Sequence, residues 1–145
     1  MPRTVTSTAS TAWKGDLISG SGTTTLETSE LGTFDLSWKA RAEESAQGTT
    51  SPEELLGAAH AACYSMQFSN MLAENGTPPT SVDTSADVSF NIGEGGITGI
   101  ALSVTASIDG IEDADFQRLA DEAKSSCPVS KALTGVDITL TATLG

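Results

Sequence analysis

Three side chains in this sequence are of the types that carry out thiol and proton chemistry: the only histidine, His60, and the only two cysteines, Cys63 and Cys127. His60 and Cys63 lie three residues apart in an apolar stretch, whereas Cys127 comes far later in the chain, directly before Pro128. A cysteine thiolate is a nucleophile and also a leaving group in thiol–disulfide exchange. The two cysteines therefore suggest redox chemistry at a pair of thiols.

His60 and Cys63 also have structural interpretations. Free cysteine is among the most buried residue types, and a thiol inside an apolar helix is normally inert, with a raised pKa. Taken alone, Cys63 is expected to be a core residue unless a nearby cation stabilises its thiolate. For His60 we favour a packed core histidine over a catalytic one.

The candidate cation for Cys63 is Arg41. Of the other arginines, Arg3 belongs to the N-terminal tail and Arg118 to the polar side of a later helix. A surface salt bridge is the alternative interpretation of Arg41. Glu53 precedes Cys63 on the same predicted helix by roughly 15 Å along the axis, so the two side chains cannot touch within that helix. Glu53 can therefore act only by orienting a long side chain or at a site in a partner subunit. The alternative interpretation of Glu53 is purely structural, as a carboxylate that stabilises the N-terminus of that helix.

Cys127 is predicted to be the N-cap of a short helix that ends near Gly135, because Pro128 suits the first helical position. An N-cap places the thiol near backbone N–H groups and the positive end of the helix dipole, which lower a thiol pKa. Such a thiol suits either the attacking or the departing sulfur of an exchange reaction. Whether it meets Cys63 is left open by the spacing.

The clearest element is a helix of about 23 residues that begins at Pro52 and ends near Gly76. Because residues 55–63 are almost all apolar or small, this helix is predicted to be buried in a core or a subunit interface. A second helix is predicted over residues 114–125, with Asp113 as its cap.

Alternating apolar and polar residues predict strands on either side of these helices. Residues 11–28 form short strands, residues 82–90 and 100–108 form a long antiparallel hairpin, and residues 136–144 form the last strand. One more strand precedes the central helix, with apolar residues at alternate positions: Phe34, Leu36, Trp38 and Ala40. The sequence predicts an α+β fold, a single domain over 1–145, with antiparallel sheets at both ends of the chain around a long buried helix.

The composition excludes several function classes. The 145 residues are 38% hydrophobic and carry a net charge of −12, which repels nucleic-acid backbones and anionic membranes. No signal peptide or membrane-spanning run is visible, so a cytoplasmic protein is expected, in which paired cysteines are more often redox-active than structural. Two cysteines and one histidine are too few for a usual structural zinc site, and no metal is expected.

Two ordered segments resemble the cysteine motifs of the OsmC/Ohr family, the osmotically inducible and organic hydroperoxide resistance proteins. Residues 53–63, EELLGAAHAAC, resemble the first motif, and residues 123–130, AKSSCPVS, resemble the second. Residues 13–16, WKGD, and 79–88, PTSVDTSADV, are similar to the OsmC branch. The resemblance covers essentially the whole chain.

This resemblance implies an OsmC-like fold in which two chains intertwine as a homodimer with active sites at the interface. It also implies a thiol peroxidase that reduces organic hydroperoxides, and hydrogen peroxide more weakly. Carried over by position, Cys63 matches the peroxidatic cysteine and Cys127 the resolving cysteine. Arg41 matches the activating arginine and Glu53 the glutamate that orients it.

The implied cycle needs no cofactor: a Cys63 sulfenic acid condenses with Cys127, and an external dithiol reduces the disulfide. A lipoyl-bearing protein is the expected dithiol donor. Met66, Phe68 and Met71 either line an apolar substrate pocket or, for most of them, belong to the core. The alternatives are a non-enzymatic redox-sensing or ligand-binding dimer, and a structural dimer with two buried thiols.

Overall fold

A computed structural model describes residues 3–43 and 48–145 of the chain. The chain divides into two compact units, Met1–Pro52 and Glu53–Gly145, and each is described by itself. The single domain over residues 1–145 stays a prediction.

The first unit contains a three-stranded sheet and a short helix. Its elements are β1 (Ala9–Lys14), β2 (Ser21–Leu26), β3 (Thr33–Leu36) and α1 (Trp38–Ala42). The strands pair antiparallel in the order β1-β2-β3, which confirms the short strands predicted for this part of the chain.

The predicted strand through Trp38 and Ala40 is wrong, because β3 ends at Leu36 and a helix follows. Ser37 is the N-cap of α1, and its Oγ accepts a hydrogen bond of 3.1 Å from the Ala40 backbone N–H. A serine cap satisfies one of the N–H groups that a helix leaves without an internal partner, and this favours a turn of helix over a longer strand. Arg41 therefore lies in the last turn of α1 rather than after a strand.

The second unit places three helices against a three-stranded sheet. Its elements are α2 (Pro52–Glu74), β4 (Pro79–Asn91), β5 (Gly96–Ile108), α3 (Asp113–Ser126), α4 (Pro128–Ala132) and β6 (Asp137–Leu144). The hairpin of β4 and β5 is antiparallel, as predicted. β6 pairs parallel to β5, so the prediction of an antiparallel sheet is wrong for this strand. The connection through α3 and α4 returns the chain to the end of the sheet at which β5 begins, and parallel pairing requires such a crossover.

The bounds of α2 confirm the prediction from Pro52 and Gly76. The helix contains 23 residues and ends in a Schellman motif. Gly76 has φ 84° and donates its N–H to the Ala73 carbonyl, and Thr77 donates to the Leu72 carbonyl, each at 3.0 Å. Within residues 3–43 and 48–145, no helix combines the length and apolar character needed to cross a membrane.

The chain leaves α3 and enters α4 at Cys127, which is the C-cap of the first helix and the N-cap of the second. Pro128 occupies the first position of α4, as predicted, and the residue before a proline is disfavoured in helical conformation. Cys127 accordingly has φ −59° and ψ 125°. We call this segment, residues 126–130, the α3–α4 junction. α4 ends at Ala132, earlier than the predicted end near Gly135.

The start of α3 differs from the prediction by one residue. Glu112 is the N-cap, and Asp113 is the first helical residue rather than the cap. Asp113 and Asp115 nevertheless lie in the first turn, where a carboxylate interacts favourably with the helix dipole.

The core of the second unit lies between the helices and one face of the sheet. One face of α2 is buried, which confirms the predicted burial for that face, whereas Ala58, Ala59, Ala62 and Met66 are exposed. The sheet contributes alternate residues of β5 to this core: Ile100, Leu102, Val104 and Ala106. At Gly57 an added Cβ would lie 3.2 Å from the Ala86 carbonyl oxygen, so the missing side chain allows α2 and β4 to approach closely.

Three aromatic rings join α2 to α3 within this core. The ring centroids of Tyr64 and Phe68 are 5.7 Å apart, and those of Phe68 and Phe116 are 5.6 Å apart. All three side chains are fully buried. Such pairs add to the stabilisation that burial of apolar surface provides.

We expect Phe68→Ala to lower the free energy of unfolding by about 3 to 5 kcal/mol, because it removes the central ring and leaves a cavity. The control is Ser125→Ala on the exposed side of α3, which is expected to change that free energy by at most about 0.5 kcal/mol. Urea denaturation followed by circular dichroism measures both. Equal effects of the two substitutions would contradict the assigned core.

Candidate functional site

The second unit brings the two cysteines together. Cys63 lies on α2 and is half-buried, whereas Cys127 lies at the α3–α4 junction and is fully buried. Both thiols are free, and the Cys127 thiol is near enough to the Cys63 thiol to affect its pKa. The contact that spacing left open is therefore formed between two elements of one unit.

The surroundings of Cys63 act on its thiolate in opposite directions. Burial raises the pKa of the Cys63 thiol, because it disfavours the charged form, and the neighbouring Cys127 thiol raises the pKa further. The backbone N–H of Val129 lowers it by hydrogen bonding to the sulfur. Since burial is the largest contribution, these surroundings favour the neutral thiol.

His60 is a fully buried core residue, in agreement with the interpretation favoured from the sequence. Its Nε2 lies 2.7 Å from Ser130 Oγ, and its Nδ1 has no hydrogen-bond partner among the described residues. Burial lowers the pKa of His60, so the imidazole is neutral. The ring therefore contributes a hydrogen bond to α4 and no positive charge to Cys63.

Tyr64 links α2 to α3 beside the cysteine pair. Its hydroxyl donates a hydrogen bond of 2.9 Å to the Ala120 carbonyl oxygen. Burial raises the pKa of Tyr64, and the Asp121 carboxylate and Cys127 raise it further, so the phenol stays protonated as this hydrogen bond requires. Tyr64 thus fixes the helix that leads into Cys127.

Arg41 and Glu53 lie in different units. Arg41 is on α1, whereas Glu53 is in the first turn of α2 and only 6% exposed. Both residues take part in interactions with other groups. Along α2, Glu53 and Cys63 are separated by roughly 15 Å, so they do not touch within the helix. Their roles in activating Cys63 stay predictions.

The apolar residues that follow Cys63 do not share one environment. Phe68 is fully buried and Met71 packs against the core, as expected for most of this group. Met66 is 74% exposed. It borders a groove of about 620 Å³ between α2 and β4, whose other lining residues include Ser65, Ser69, Pro79 and Val82.

Sequence reasoning missed two groups beside the thiols, Ser130 and the Val129 N–H. The available signal was the spacing after Pro128, because residues 129 and 130 fall in the first turn of the helix that Cys127 caps. The same reasoning predicted that the N-cap position lowers the pKa of the Cys127 thiol. Across residues 3–43 and 48–145, however, the Cys127 side chain makes no capping hydrogen bond, and the Val129 N–H bonds to the Cys63 sulfur.

Within the described part of the chain, no three His, Cys, Asp or Glu side chains are grouped closely enough to hold a metal ion.

Comparisons with known proteins place these features in a family. The family described as "OsmC-like protein" matches residues 43–141 of this chain. The chain is 44% identical over 130 residues to "Peroxiredoxin OsmC" of Escherichia coli, covering 88% of this chain and 89% of that protein. It is 35% identical over 95 residues to an "Organic hydroperoxide resistance protein" of Xanthomonas axonopodis, covering 63% of this chain and 66% of that protein.

A solved structure agrees with these matches. The crystal structure of an organic hydroperoxide resistance protein OsmC from Legionella pneumophila has a TM-score of 0.71 and 26% sequence identity, and the match covers 98% of this chain and 99% of that one. The mixed α+β arrangement described above is thus the fold of OsmC and Ohr proteins. The motifs around Cys63 and Cys127, together with the match over residues 43–141, show that this chain belongs to the OsmC-like protein family.

Proposed function

We propose that this protein is a two-cysteine peroxidase that reduces organic hydroperoxides, and hydrogen peroxide more weakly. The observation that carries the proposal is the proximity of two free thiols, Cys63 and Cys127, held by different elements of one unit. Relatives named a peroxiredoxin and an organic hydroperoxide resistance protein support the substrate class.

In the first step the Cys63 thiolate attacks the terminal oxygen of the hydroperoxide. The O–O bond breaks, the alkoxide leaves and takes up a proton from water to become the alcohol, and Cys63 becomes a sulfenic acid. The half-buried position of Cys63 supports this role, because it leaves part of the residue accessible while limiting access of water. The Val129 N–H stabilises the negative sulfur from which the attack begins.

Arg41 and Glu53 complete the activation of Cys63 in this proposal. A guanidinium near a thiolate favours the charged form and offsets the burial that raises the pKa of Cys63. Glu53 orients Arg41 through an ion pair, which suits a carboxylate that is buried and engaged with other groups.

In the second step the Cys127 thiol attacks the Cys63 sulfenic acid and releases water. The resulting disulfide protects Cys63 from further oxidation until an external dithiol reduces it. A lipoyl-bearing protein is the proposed donor. Full burial of Cys127 supports its role as the second thiol, because a buried sulfur is reached more readily by its neighbour than by a peroxide.

We further propose that the chain acts as a homodimer. The exposed face of α2 is apolar, with Ala58, Ala59, Ala62 and Met66 along it. An apolar helix face that solvent reaches in one chain is a suitable surface for a second copy.

One equivalent of cumene hydroperoxide is expected to consume both thiols and lower the mass of the chain by about 2 Da, the mass of two hydrogens lost on disulfide formation. A dithiol should restore both thiols. Thiol titration and intact-mass spectrometry measure these changes, and thiols that survive in the folded protein would refute the peroxidase proposal.

Two serine variants separate the roles of the cysteines. Cys63→Ser is expected to consume no hydroperoxide, whereas Cys127→Ser should complete one turnover and then accumulate sulfinic acid at Cys63. Consumption of peroxide by Cys63→Ser would reverse the assignment. A Cys127→Ser protein that does not react would argue against the proposed order of the two steps.

Arg41→Gln is expected to slow the reaction of Cys63 with hydroperoxide at pH 7 by about 10- to 1000-fold. Loss of a neighbouring cation raises a thiol pKa by about 1 to 3 units, and each unit lowers the thiolate fraction about tenfold. The rate should recover as the pH rises toward the increased pKa of Cys63. Stopped-flow kinetics across a pH series measures this recovery.

The control for that experiment is Arg118→Gln. Arg118 is exposed and pairs with Asp115 at 3.4 Å and Glu122 at 3.5 Å on its own helix. Its replacement should leave the pH profile of the reaction unchanged. Identical profiles for Arg41→Gln and the unmodified protein would exclude Arg41 as the activating residue.

A further inference from the structure

Two hydrogen bonds from α2 hold the α3–α4 junction on either side of Cys127. His60 Nε2 lies 2.7 Å from Ser130 Oγ, and both residues are buried. Gln67 Nε2 donates to Ser126 Oγ at 3.0 Å. We call these contacts the two junction hydrogen bonds.

Their spacing brackets the thiol pair. His60 lies about one helical turn before Cys63 on α2 and Gln67 about one turn after it, which places the two donors roughly 10 Å apart along the helix axis. The two serines likewise flank Cys127, one directly before it and one three residues after it. The junction is therefore tied to α2 at both ends, and the sulfur contact lies between the ties.

The donor and the acceptor of the His60–Ser130 hydrogen bond can be assigned. We assign the proton of the neutral ring to Nε2, which then donates to Ser130 Oγ. The opposite tautomer would leave an N–H at Nδ1 buried without an acceptor in the described part of the chain, and orphaned buried N–H groups are rare. This hydrogen bond is fully enclosed, where a lost partner is costly.

We propose that His60, Ser130, Gln67 and Ser126 are positioning residues for disulfide formation. This inference rests on the proposed function, and it concerns the step after the peroxide has reacted. Cys63 sulfenic acid and the Cys127 thiol condense to a disulfide and water within one molecule. In competition, a second hydroperoxide oxidises the sulfenic acid to sulfinic acid and leaves as alcohol.

The two junction hydrogen bonds favour the first outcome. Condensation depends on how closely the thiol is held to the sulfenic acid, whereas oxidation by a second hydroperoxide depends on its concentration in solution. Holding the α3–α4 junction in place raises the effective concentration of Cys127 at the Cys63 sulfenic acid. The Val129 N–H belongs to the same junction and acts on the first step, so the rate of that step is measured separately.

His60→Asn and His60→Gln form a matched pair of variants. The amide nitrogen of glutamine reaches the position of Nε2, whereas that of asparagine reaches only the position of Nδ1. Ser130→Ala removes the acceptor, and Gln67→Met removes the second donor at similar size. Ser125→Ala is the control, because among the described residues the Ser125 hydroxyl donates to carbonyls of its own helix, those of Asp121 and Glu122.

The first measurement is the partition of Cys63 between disulfide and sulfinic acid as the cumene hydroperoxide concentration increases. His60→Asn, Ser130→Ala and Gln67→Met should reach half sulfinic acid at about three- to tenfold lower concentration, the range expected for one lost hydrogen bond. His60→Gln and Ser125→Ala should match the unmodified protein. The rate of the first step, on which the Val129 N–H acts, should fall by a smaller factor than the concentration at half sulfinic acid. General destabilisation would instead lower both together with the unfolding free energy.

The second measurement uses no hydroperoxide. In a glutathione redox buffer, two protein thiols and one oxidised glutathione give the disulfide and two reduced glutathiones, and the equilibrium constant reports the effective concentration of the pair. The same three variants should lower that constant by about three- to tenfold, with restoration in His60→Gln.

The two measurements separate the possible failures. If the unmodified protein forms the disulfide with glutathione and ignores cumene hydroperoxide, the proposed function fails, and the glutathione equilibria still test the positioning role. If His60→Asn and Ser130→Ala match the unmodified protein in both measurements, or His60→Gln is as impaired as His60→Asn, the positioning inference is overturned.

Discussion

The contact between α2 and the α3–α4 junction is the constraint on which the proposed chemistry depends. Pro128 makes the chain leave one helix and begin another at Cys127, and the buried rings of Tyr64, Phe68 and Phe116 fix the first of these helices against α2. The junction residue is therefore presented to Cys63 rather than to solvent. Thiols that are distant in sequence become neighbours because a helix break and an aromatic core coincide.

The same burial that brings the thiols together opposes their reactivity. Removal of water raises the pKa of Cys63, and the Val129 N–H offsets only part of this effect. In the proposed function, Arg41 supplies the positive charge that counters this effect, because a neighbouring cation favours the thiolate.

The sequence predicted those elements whose signals are local. Pro52 and Gly76 define α2, and the proline after Cys127 predicts its cap position. The prediction failed where local patterns compete. A five-residue helix is too short to show helical periodicity, so the alternating residues of α1 resembled a continuation of β3, although Ser37 caps a helix there. The contact of Cys63 with Cys127 and the hydrogen bond from His60 depend on tertiary packing, which no spacing rule encodes.

Peptide mapping of the peroxide-treated protein under non-reducing conditions tests the central claim most directly. After one equivalent of cumene hydroperoxide, the account predicts one linked peptide pair that joins Cys63 to Cys127 of the same chain. Chains of mixed isotopic labelling distinguish this link from one between subunits. A Cys63–Cys63 link between chains, or sulfinic acid at Cys63 beside an untouched Cys127 thiol, would contradict the account.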